Sequence, residues 1–401
     1  LIDAGRRAVG GRMRGTGAQF LRLADPRLAT VVGMLEQEGL VARWDGKFGL
    51  LGASGGFLPA DIVSQTTGFK GSSGQEGDQK KETPPASDGG DFCRFVDESK
   101  NPAYVGLPSM EDLCPRIAEL ANIEQVNDSK VIGATPSRSG GWKLEVEQKS
   151  GNPRPIDNTE QFDALVLATH DPSVGSGAIR SIADAEIIHG GYKNFEEAMK
   201  NSDEDASLII SRLMEISDSL QSVRDNGKKP VYAVSLTFPK GFSADVPFDA
   251  VSIPGSSYVQ FLSREESKPG QSADEWGETW VAISTTAMAD HVISLASSDE
   301  DKLSEASFLV AQEVSKLLAQ YIGGKEPEIL QVSGKRWGAA FCSPGLGLKE
   351  DSIFLAPWRL AICGDFIRDQ SVYATPLEAA ALSGLEAGER TAALWTTQVG
   401  N

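Results

Sequence analysis

The chain has 401 residues, which is enough for two or three domains of ordinary size. Its 38 Lys and Arg residues face 56 Asp and Glu residues, and the resulting formal net charge of −18 disfavours binding to nucleic acid or to an anionic membrane. No run approaches the roughly 18 apolar residues of a membrane-spanning helix, so we expect a soluble protein that binds small molecules.

The first residues are predicted to form the end of a strand that closes with Asp3, followed by a turn rich in Gly and Arg. In a dinucleotide-binding fold, such a carboxylate accepts hydrogen bonds from ribose hydroxyls. Gly10 and Gly11 would let the backbone approach a pyrophosphate, which Arg12 would neutralise. A Gly-rich surface turn beside an unrelated Asp is the alternative interpretation.

A short amphipathic helix is predicted next, with Asp25 as N-cap, Pro26 at its first position and Gly39 at its end. Residues 61–90 are polar and contain a Pro pair, and this composition cannot bury enough apolar area to offset its ordering entropy. We therefore predict a disordered insertion over 61–90. A helix over 108–120 is expected after it.

For the middle of the chain we predict an α+β arrangement, because its apolar residues recur with the period of a helix in some segments and with the period of a strand in others. The predicted strands are Trp142–Val146, Phe162–Thr169, Val231–Phe238, Tyr258–Leu262 and Trp280–Ser284, and the predicted helices lie within 201–227 and around 303–318.

The C-terminal region combines an apolar strand over 360–364, Asp365 and a helix start. Thr375, Pro376 and Glu378 have the spacing of an N-cap, a first-position Pro and a capping box. Asp365 could accept a hydrogen bond from a ribityl hydroxyl, and the helix N-terminus favours the negative charge of a reduced flavin. An ordinary strand, turn and helix with a solvated Asp is the alternative.

Seven segments occur in the order in which a known family has them. They are AVGGRM (8–13), GAQF (17–20), DPRL with EGLVARWDGKFG (25–49), YVGLPSMEDL (104–113), FDALVLAT (162–169), KRWGAAF (335–341), and LAICGDF with LEAAALSGLEA (360–387). On these segments the chain resembles the renalase-like branch of the FAD-dependent amine oxidase superfamily. Lys335, Arg336 and Trp337 would place a cation and an aromatic ring near the flavin, or would be a basic strand start with a core Trp.

The resemblance implies an α/β plus α+β fold with two discontinuous domains. The FAD-binding domain, Rossmann-like and of the glutathione-reductase type, would comprise residues 1–50, 108–178 and 335–401. The substrate domain, with a mixed sheet, would comprise residues 51–107 and 179–334. The family begins with a strand and a GxGxxG turn, so this chain is predicted to be truncated and to lack its primary phosphate site.

The resemblance also implies which residues bind FAD. The implied contacts are Asp3 to the adenosine ribose, Gly10, Gly11 and Arg12 to the pyrophosphate, Gly17, Ala18 and Gln19 to the flavin, Val131 to adenine, Gly364 and Asp365 to the ribityl and diphosphate region, and Glu378, Ala379 and Ala380 at the helix start beneath the pyrimidine edge. No catalytic residue and no metal ligand is assigned.

The function that the resemblance implies is hydride transfer from an amine or a reduced nicotinamide to flavin N5, with reoxidation by dioxygen. A catalytically inactive relative that acts as an interaction protein is the alternative. The four cysteines are widely spaced, which makes a reducing cytoplasmic compartment the default expectation. A targeting segment would be lost with a missing N-terminus.

Overall fold

The structure of the chain is a computed structural model that describes residues 15–52, 55–66, 91–97, 99–137, 140–148, 160–189, 206–272, 277–295, 298–368 and 375–396. The helices are α1 (Pro26–Gln37), α2 (Ala60–Thr66), α3 (Leu113–Leu120), α4 (Pro172–His189), α5 (Ala206–Asn226), α6 (Thr286–Leu295), α7 (Asp299–Ala319) and α8 (Pro376–Thr396). The strands are β1 (Leu21–Arg22), β2 (Val41–Arg43), β3 (Phe48–Leu51), β4 (Phe57–Pro59), β5 (Ala103–Gly106), β6 (Ser129–Pro136), β7 (Trp142–Gln148), β8 (Gln161–Phe162), β9 (Leu165–Ala168), β10 (Lys228–Phe238), β11 (Ala250–Ser252), β12 (Val259–Arg264), β13 (Glu278–Ser284), β14 (Gln331–Cys342), β15 (Ile353–Leu355) and β16 (Leu360–Cys363).

The described residues fall into two compact units. The sheet unit consists of those within Gly5–Leu113 and Lys229–Ala340, and the helical unit of those within Cys114–Lys228 and Phe341–Asn401. This division differs from the predicted domain map, which groups residues 1–50 with the C-terminal segments. Residues 48–50 pack in the sheet unit because β3 pairs in parallel with β11. The division into an FAD-binding domain and a substrate domain remains a prediction.

The sheet unit contains a seven-stranded sheet in the order β14-β10-β13-β12-β11-β3-β4 and a three-stranded sheet in the order β1-β5-β2. The alternating residues predicted for one face of the strand Val231–Phe238 lie in its hydrophobic core, on β10, together with Trp280 and with Val310 and Val314 of α7. Each large side chain buried in this way contributes about 1.5–3 kcal/mol. The predicted strand and the predicted long helix are confirmed.

The predicted helix near the start of the described chain is α1. The Asp25 carboxylate accepts a hydrogen bond from the Arg27 backbone N–H at 2.9 Å, and Pro26 occupies the first turn. Leu28 and Val32 are the buried residues of its apolar face. Gly39 follows the helix with a φ of +65°, a conformation that glycine adopts without steric penalty.

The predicted disordered insertion is wrong in its first six residues. Residues 61–66 belong to α2, which packs on β3 and buries Val63. Apolar residues therefore continue for one helical turn past the predicted boundary at Asp61. The rest of the predicted insertion, 67–90, lies outside the described residues.

The helical unit has two small sheets, in the orders β15-β16-β9 and β6-β7-β8. The predicted single strand over 162–169 is divided between them. Phe162 pairs with Trp142 in one sheet, and Leu165–Ala168 runs parallel to β16 in the other. The chain bends at Asp163, so a nearly continuous apolar run forms two strands rather than one.

Two predicted helix starts have different outcomes. Thr375 caps α8, since its side-chain oxygen accepts from the Glu378 N–H at 3.1 Å, and Pro376 is the first helical residue as predicted. The helix predicted over 108–120 begins only at Leu113. No helix among the described residues is long and apolar enough to cross a membrane.

Candidate functional site

Nine of the thirteen predicted cofactor residues lie in the described part of the chain. The sheet unit holds Gly17, Ala18 and Gln19, and the helical unit holds Val131, Gly364, Asp365, Glu378, Ala379 and Ala380. Asp3, Gly10, Gly11 and Arg12 lie outside the described residues.

In the sheet unit, Gly15 begins the segment that carries the predicted flavin contacts. Its φ is +70°, and a methyl group added there would lie 2.6 Å from the carboxyl carbon of Glu265. Both the backbone conformation and the close approach therefore require glycine. Gly17, two residues later, has open space beside its Cα.

A buried ion pair lies against this segment. The Lys268 ammonium donates to the Glu265 carboxylate, and both side chains are at most 6% exposed. The Lys268 ammonium also lies 5.4 Å from the ring centroid of Trp44. Removing one partner of a buried pair leaves an uncompensated charge, which typically costs about 3–5 kcal/mol.

Glu265, Lys268 and Trp44 were missed by the sequence analysis. The run Arg264–Lys268 consists of a Ser and four charged residues, which is the composition of an exposed turn. Glu265 and Lys268 are nevertheless buried, in and directly after a short 3₁₀ helix at 265–267 that follows β12. The one sequence signal for this ion pair is the spacing of Glu265 and Lys268, which are three residues apart and could face each other in a helical turn.

A small cavity of about 40 Å³ adjoins the ion pair within the sheet unit, with room for roughly three water molecules. Both members of the ion pair and the predicted flavin contacts Gly17 and Ala18 are part of its wall. The other lining residues are Gly15, Val105, Gly106, Ser109, Met110, Glu111, Pro269 and Gln271. The buried ion pair and the segment that begins at Gly15 therefore line the same small cavity.

Trp337 contacts the same segment from β14. Its indole N–H donates to the carbonyl of Thr16 at 2.6 Å, and the Lys335 ammonium lies 4.1 Å from its ring centroid. Trp337 is half-buried and Arg336 is exposed. The structure therefore places the aromatic ring of KRWGAAF beside the backbone that leads into Gly17.

In the helical unit, Gly364 directly follows β16 and is hydrogen-bonded to α8. Its N–H donates to the Ser383 hydroxyl at 2.9 Å, and Ser383 in turn donates to the carbonyl of Asp351. A methyl group at Gly364 would lie 2.4 Å from the ring of Phe366 and 2.9 Å from the carbonyl oxygen of Thr169. This strand end is therefore tightly packed, and the buried Ser383 hydroxyl bonds it to the helix.

Charged groups extend this hydrogen-bonded network. The buried Asp351 carboxylate accepts from Arg368 at 3.1 Å, and the Asp351 N–H donates to Glu386. Glu386 also pairs with Arg390 one helical turn further along α8, at 2.7 Å. The segment before β15 and the residues after β16 are thus tied to the same helix.

The predicted contacts at the start of α8 are mostly engaged within the helix. The N–H of Glu378 donates to the Thr375 side chain, and the N–H of Ala379 donates to the Thr375 carbonyl. Glu378 and Ala379 are buried, whereas Ala380 is half-buried. The start of α8 therefore offers a cofactor its dipole rather than direct hydrogen bonds from Glu378 and Ala379.

Asp365 and Val131 are both half-buried. Asp365 directly follows Gly364, and Val131 pairs with Val146 in the sheet β6-β7-β8. Burial raises the pKa of the Cys363 thiol, at the end of β16, to about 11, so Cys363 stays protonated at neutral pH. No group of three His, Cys, Asp or Glu side chains that could bind a metal occurs among the described residues.

Comparison with solved structures shows a shared fold. A candidate protoporphyrinogen oxidase from Exiguobacterium sp. 255-15 has a TM-score of 0.50 and 12% sequence identity over 94% of this chain and 87% of its own. This chain has the fold of that protein. A triple mutant of putrescine oxidase, from a redesign of its cofactor binding, reaches a TM-score of 0.49 at 12% identity over 92% of this chain and 87% of its own.

An oxidoreductase from Methanosarcina mazei has a TM-score of 0.43 and 10% identity over 74% of this chain. The chain spans 57% of the length of that protein. No protein-family model matches the sequence, and no curated protein matches it.

Proposed function

We propose that the chain is an FAD-dependent oxidoreductase of the renalase-like amine oxidase type, with a Rossmann-like FAD-binding domain of the glutathione-reductase type. The observation that carries the proposal is the connection around Gly364, where an apolar strand end, a glycine in close contact with its neighbours and a capped helix are joined through Ser383. The fold shared with a candidate protoporphyrinogen oxidase supports it.

The residues of the helical unit fit the ribityl region of a flavin nucleotide. Asp365 supplies a carboxylate next to a fixed backbone turn, and the N-terminal end of α8 supplies a positive dipole. Ala379 and Ala380 present only methyl groups at this helix start, so their side chains add no charge against a flavin. We propose the residues named by the resemblance as the cofactor-binding residues. For Glu378 and Ala379, the proposed contribution to binding is the dipole of α8 at its N-terminus.

The bound FAD would accept a hydride at N5 from an amine or a reduced nicotinamide and would be reoxidised by dioxygen. The protein's part in this chemistry is binding, orientation and exclusion of water. In the sheet unit, Gly17 and Ala18 supply backbone at the cavity wall, while Glu265 and Lys268 hold their charges in a fixed mutual position. We propose this cavity as part of the substrate side of the active site.

Titration of FAD into the purified chain tests the proposal, with flavin fluorescence and absorbance as readouts. We expect weak but saturable binding of one FAD per chain, and bleaching of the flavin band when a reduced nicotinamide or an amine is added without oxygen. FMN serves as the control, since it lacks the adenosine part that Val131 is proposed to contact. Absence of saturable FAD binding would overturn the proposal in favour of an interaction protein that binds no cofactor.

A further inference from the structure

We infer that Gln19 is a positioning residue, whose side-chain amide couples the buried Glu265–Lys268 ion pair to the turn at Gly15–Gly17. For Gln19, this role replaces the direct flavin contact that the sequence resemblance implies and that is proposed above with the other cofactor contacts. It deepens the proposed function, and it rests on that function only for the flavin readout described below.

The nitrogen of the Gln19 amide is fully used inside the protein. Its two N–H groups donate to the carbonyl of Gly15 and to the carbonyl of Gly17, the latter at 2.9 Å. A primary amide has two N–H donors, so both are engaged in closing this turn. One side chain therefore bonds two carbonyls of this turn.

The oxygen of the same amide is also fully used. It accepts from the Lys268 ammonium at 3.1 Å and from the Ser263 hydroxyl at 3.2 Å. Gln19 is 4% exposed, so solvent does not compete for these bonds. A carbonyl oxygen has two lone pairs, and both have a donor.

The network permits one orientation of the amide. Rotation by 180° would place the two N–H groups against the Lys268 ammonium and the Ser263 hydroxyl, and the oxygen against two carbonyl oxygens. The position of the ammonium and the conformation of the turn therefore determine each other through Gln19. Since Lys268, Gly15 and Gly17 all line the cavity, one amide sets the shape of three parts of its wall.

A neutral side chain is required at this position. A carboxylate would keep the two acceptor contacts but would set a negative charge against the carbonyls of Gly15 and Gly17. An apolar side chain of similar length would leave the Lys268 ammonium with one fewer acceptor and two carbonyls without donors, in a place where water cannot replace them. Both changes act on the turn without removing any of its own atoms.

The test compares Q19E and Q19M with a matched control, Q260E. Gln260 is also a buried glutamine of the sheet unit, and its amide donates to the carbonyl of Ser284 at 2.8 Å, away from the cavity wall. Amide hydrogen exchange of the ligand-free chain is followed at residues 15–18. We expect exchange there to accelerate by about tenfold or more in Q19E and Q19M, as for the loss of a hydrogen bond, and to stay unchanged in Q260E.

A second variant, S263A, covers the case in which Q19E and Q19M fail to fold. Ser263 donates to the Gln19 amide oxygen, so we expect exchange at 15–18 to accelerate in S263A as well. In FAD-loaded protein, Q19M should shift the flavin absorption maximum and Q260E should not. A chain that binds no FAD would overturn the proposed function and leave the exchange test in place. Unchanged exchange at 15–18 in S263A, and in whichever Gln19 variants fold, would overturn the role of Gln19.

Discussion

The hydroxyl of Ser383 on α8 connects two backbone segments that precede this helix in the chain, because it accepts from the Gly364 N–H at 2.9 Å and donates to the Asp351 carbonyl. Ser383 is 1% exposed. A buried hydroxyl in this position satisfies two backbone groups at once.

Replacing Ser383 with Ala should lower the free energy of unfolding by about 1–3 kcal/mol, the cost of leaving buried polar groups without partners. It should also weaken FAD binding, because the backbone at Gly364 loses its support. Denaturant unfolding and flavin titration measure the two effects. The control is Ser176→Ala, which removes a hydroxyl bonded to Ser217 at 2.8 Å elsewhere in the helical unit.

The Ser176→Ala variant should lose stability by a similar amount and keep the affinity for FAD. If both variants weakened FAD binding equally, the effect of Ser383 would be one of general stability, and its specific support of Gly364 would be refuted.

Replacing Gly15 with Ala should destabilise the chain for two reasons. The left-handed backbone at φ +70° costs about 1–2 kcal/mol for a residue with a side chain, and the new methyl group would overlap the Glu265 carboxylate. Gly39→Ala is the matched control, since its φ is +65° and nothing lies within 4 Å of its added methyl group. Thermal melting should show Gly15→Ala as clearly the more destabilised. Equal losses would mean that Glu265 does not restrict this position.

Replacing Asp365 with Ala should raise the dissociation constant for FAD by about tenfold to a hundredfold, as expected for a charged hydrogen-bond partner. Asp365→Asn keeps an acceptor and should lose less affinity. Isothermal titration with FAD measures both values. An affinity for FAD that is unchanged in Asp365→Ala would remove this residue from the proposed site.

Burial raises the pKa of Glu266, which also lies near Glu265 and Glu278. A carboxyl group with a raised pKa in the folded state favours folding when it is protonated, so this contribution is present below its ordinary pKa of 4.5 and is lost as the pH rises through the raised value. Glu266→Gln should therefore stabilise the chain near neutral pH, by less than about 1 kcal/mol because the group is only partly buried. Below pH 4.5 the two proteins should melt alike.

The comparison for this prediction is Glu278→Gln. Both carboxylate oxygens of Glu278 accept backbone N–H groups, from Gly241 at 2.8 Å and from Ser243 at 3.0 Å. An amide can satisfy only one of them, so this variant should be less stable than the parent near neutral pH. A Glu266→Gln protein that melts below the parent near neutral pH would contradict the argument.

Local signals in the sequence determined the ends of some helices and the core face of one strand. Asp25 and Pro26 mark the start of α1, and Thr375 and Pro376 mark that of α8, because N-capping depends on atoms within four residues of each other. The alternation over 231–238 likewise reports a strand whose side chains have a period of two. These features follow from short-range geometry, so they could be predicted without the fold.

Long-range packing decided what local patterns could not. The apolar run 162–169 divides at Asp163 because Phe162 finds a partner in Trp142, whereas residues 165–168 find theirs in β16. The candidate site depends on the same kind of information. Glu265 and Lys268 read as an exposed charged turn, yet the fold buries them against Gln19, about 250 residues earlier in the chain. The resemblance to a known family indicated the segment Gly17–Gln19, while the tertiary structure alone decided which charges it meets, since burial depends on residues far apart in sequence.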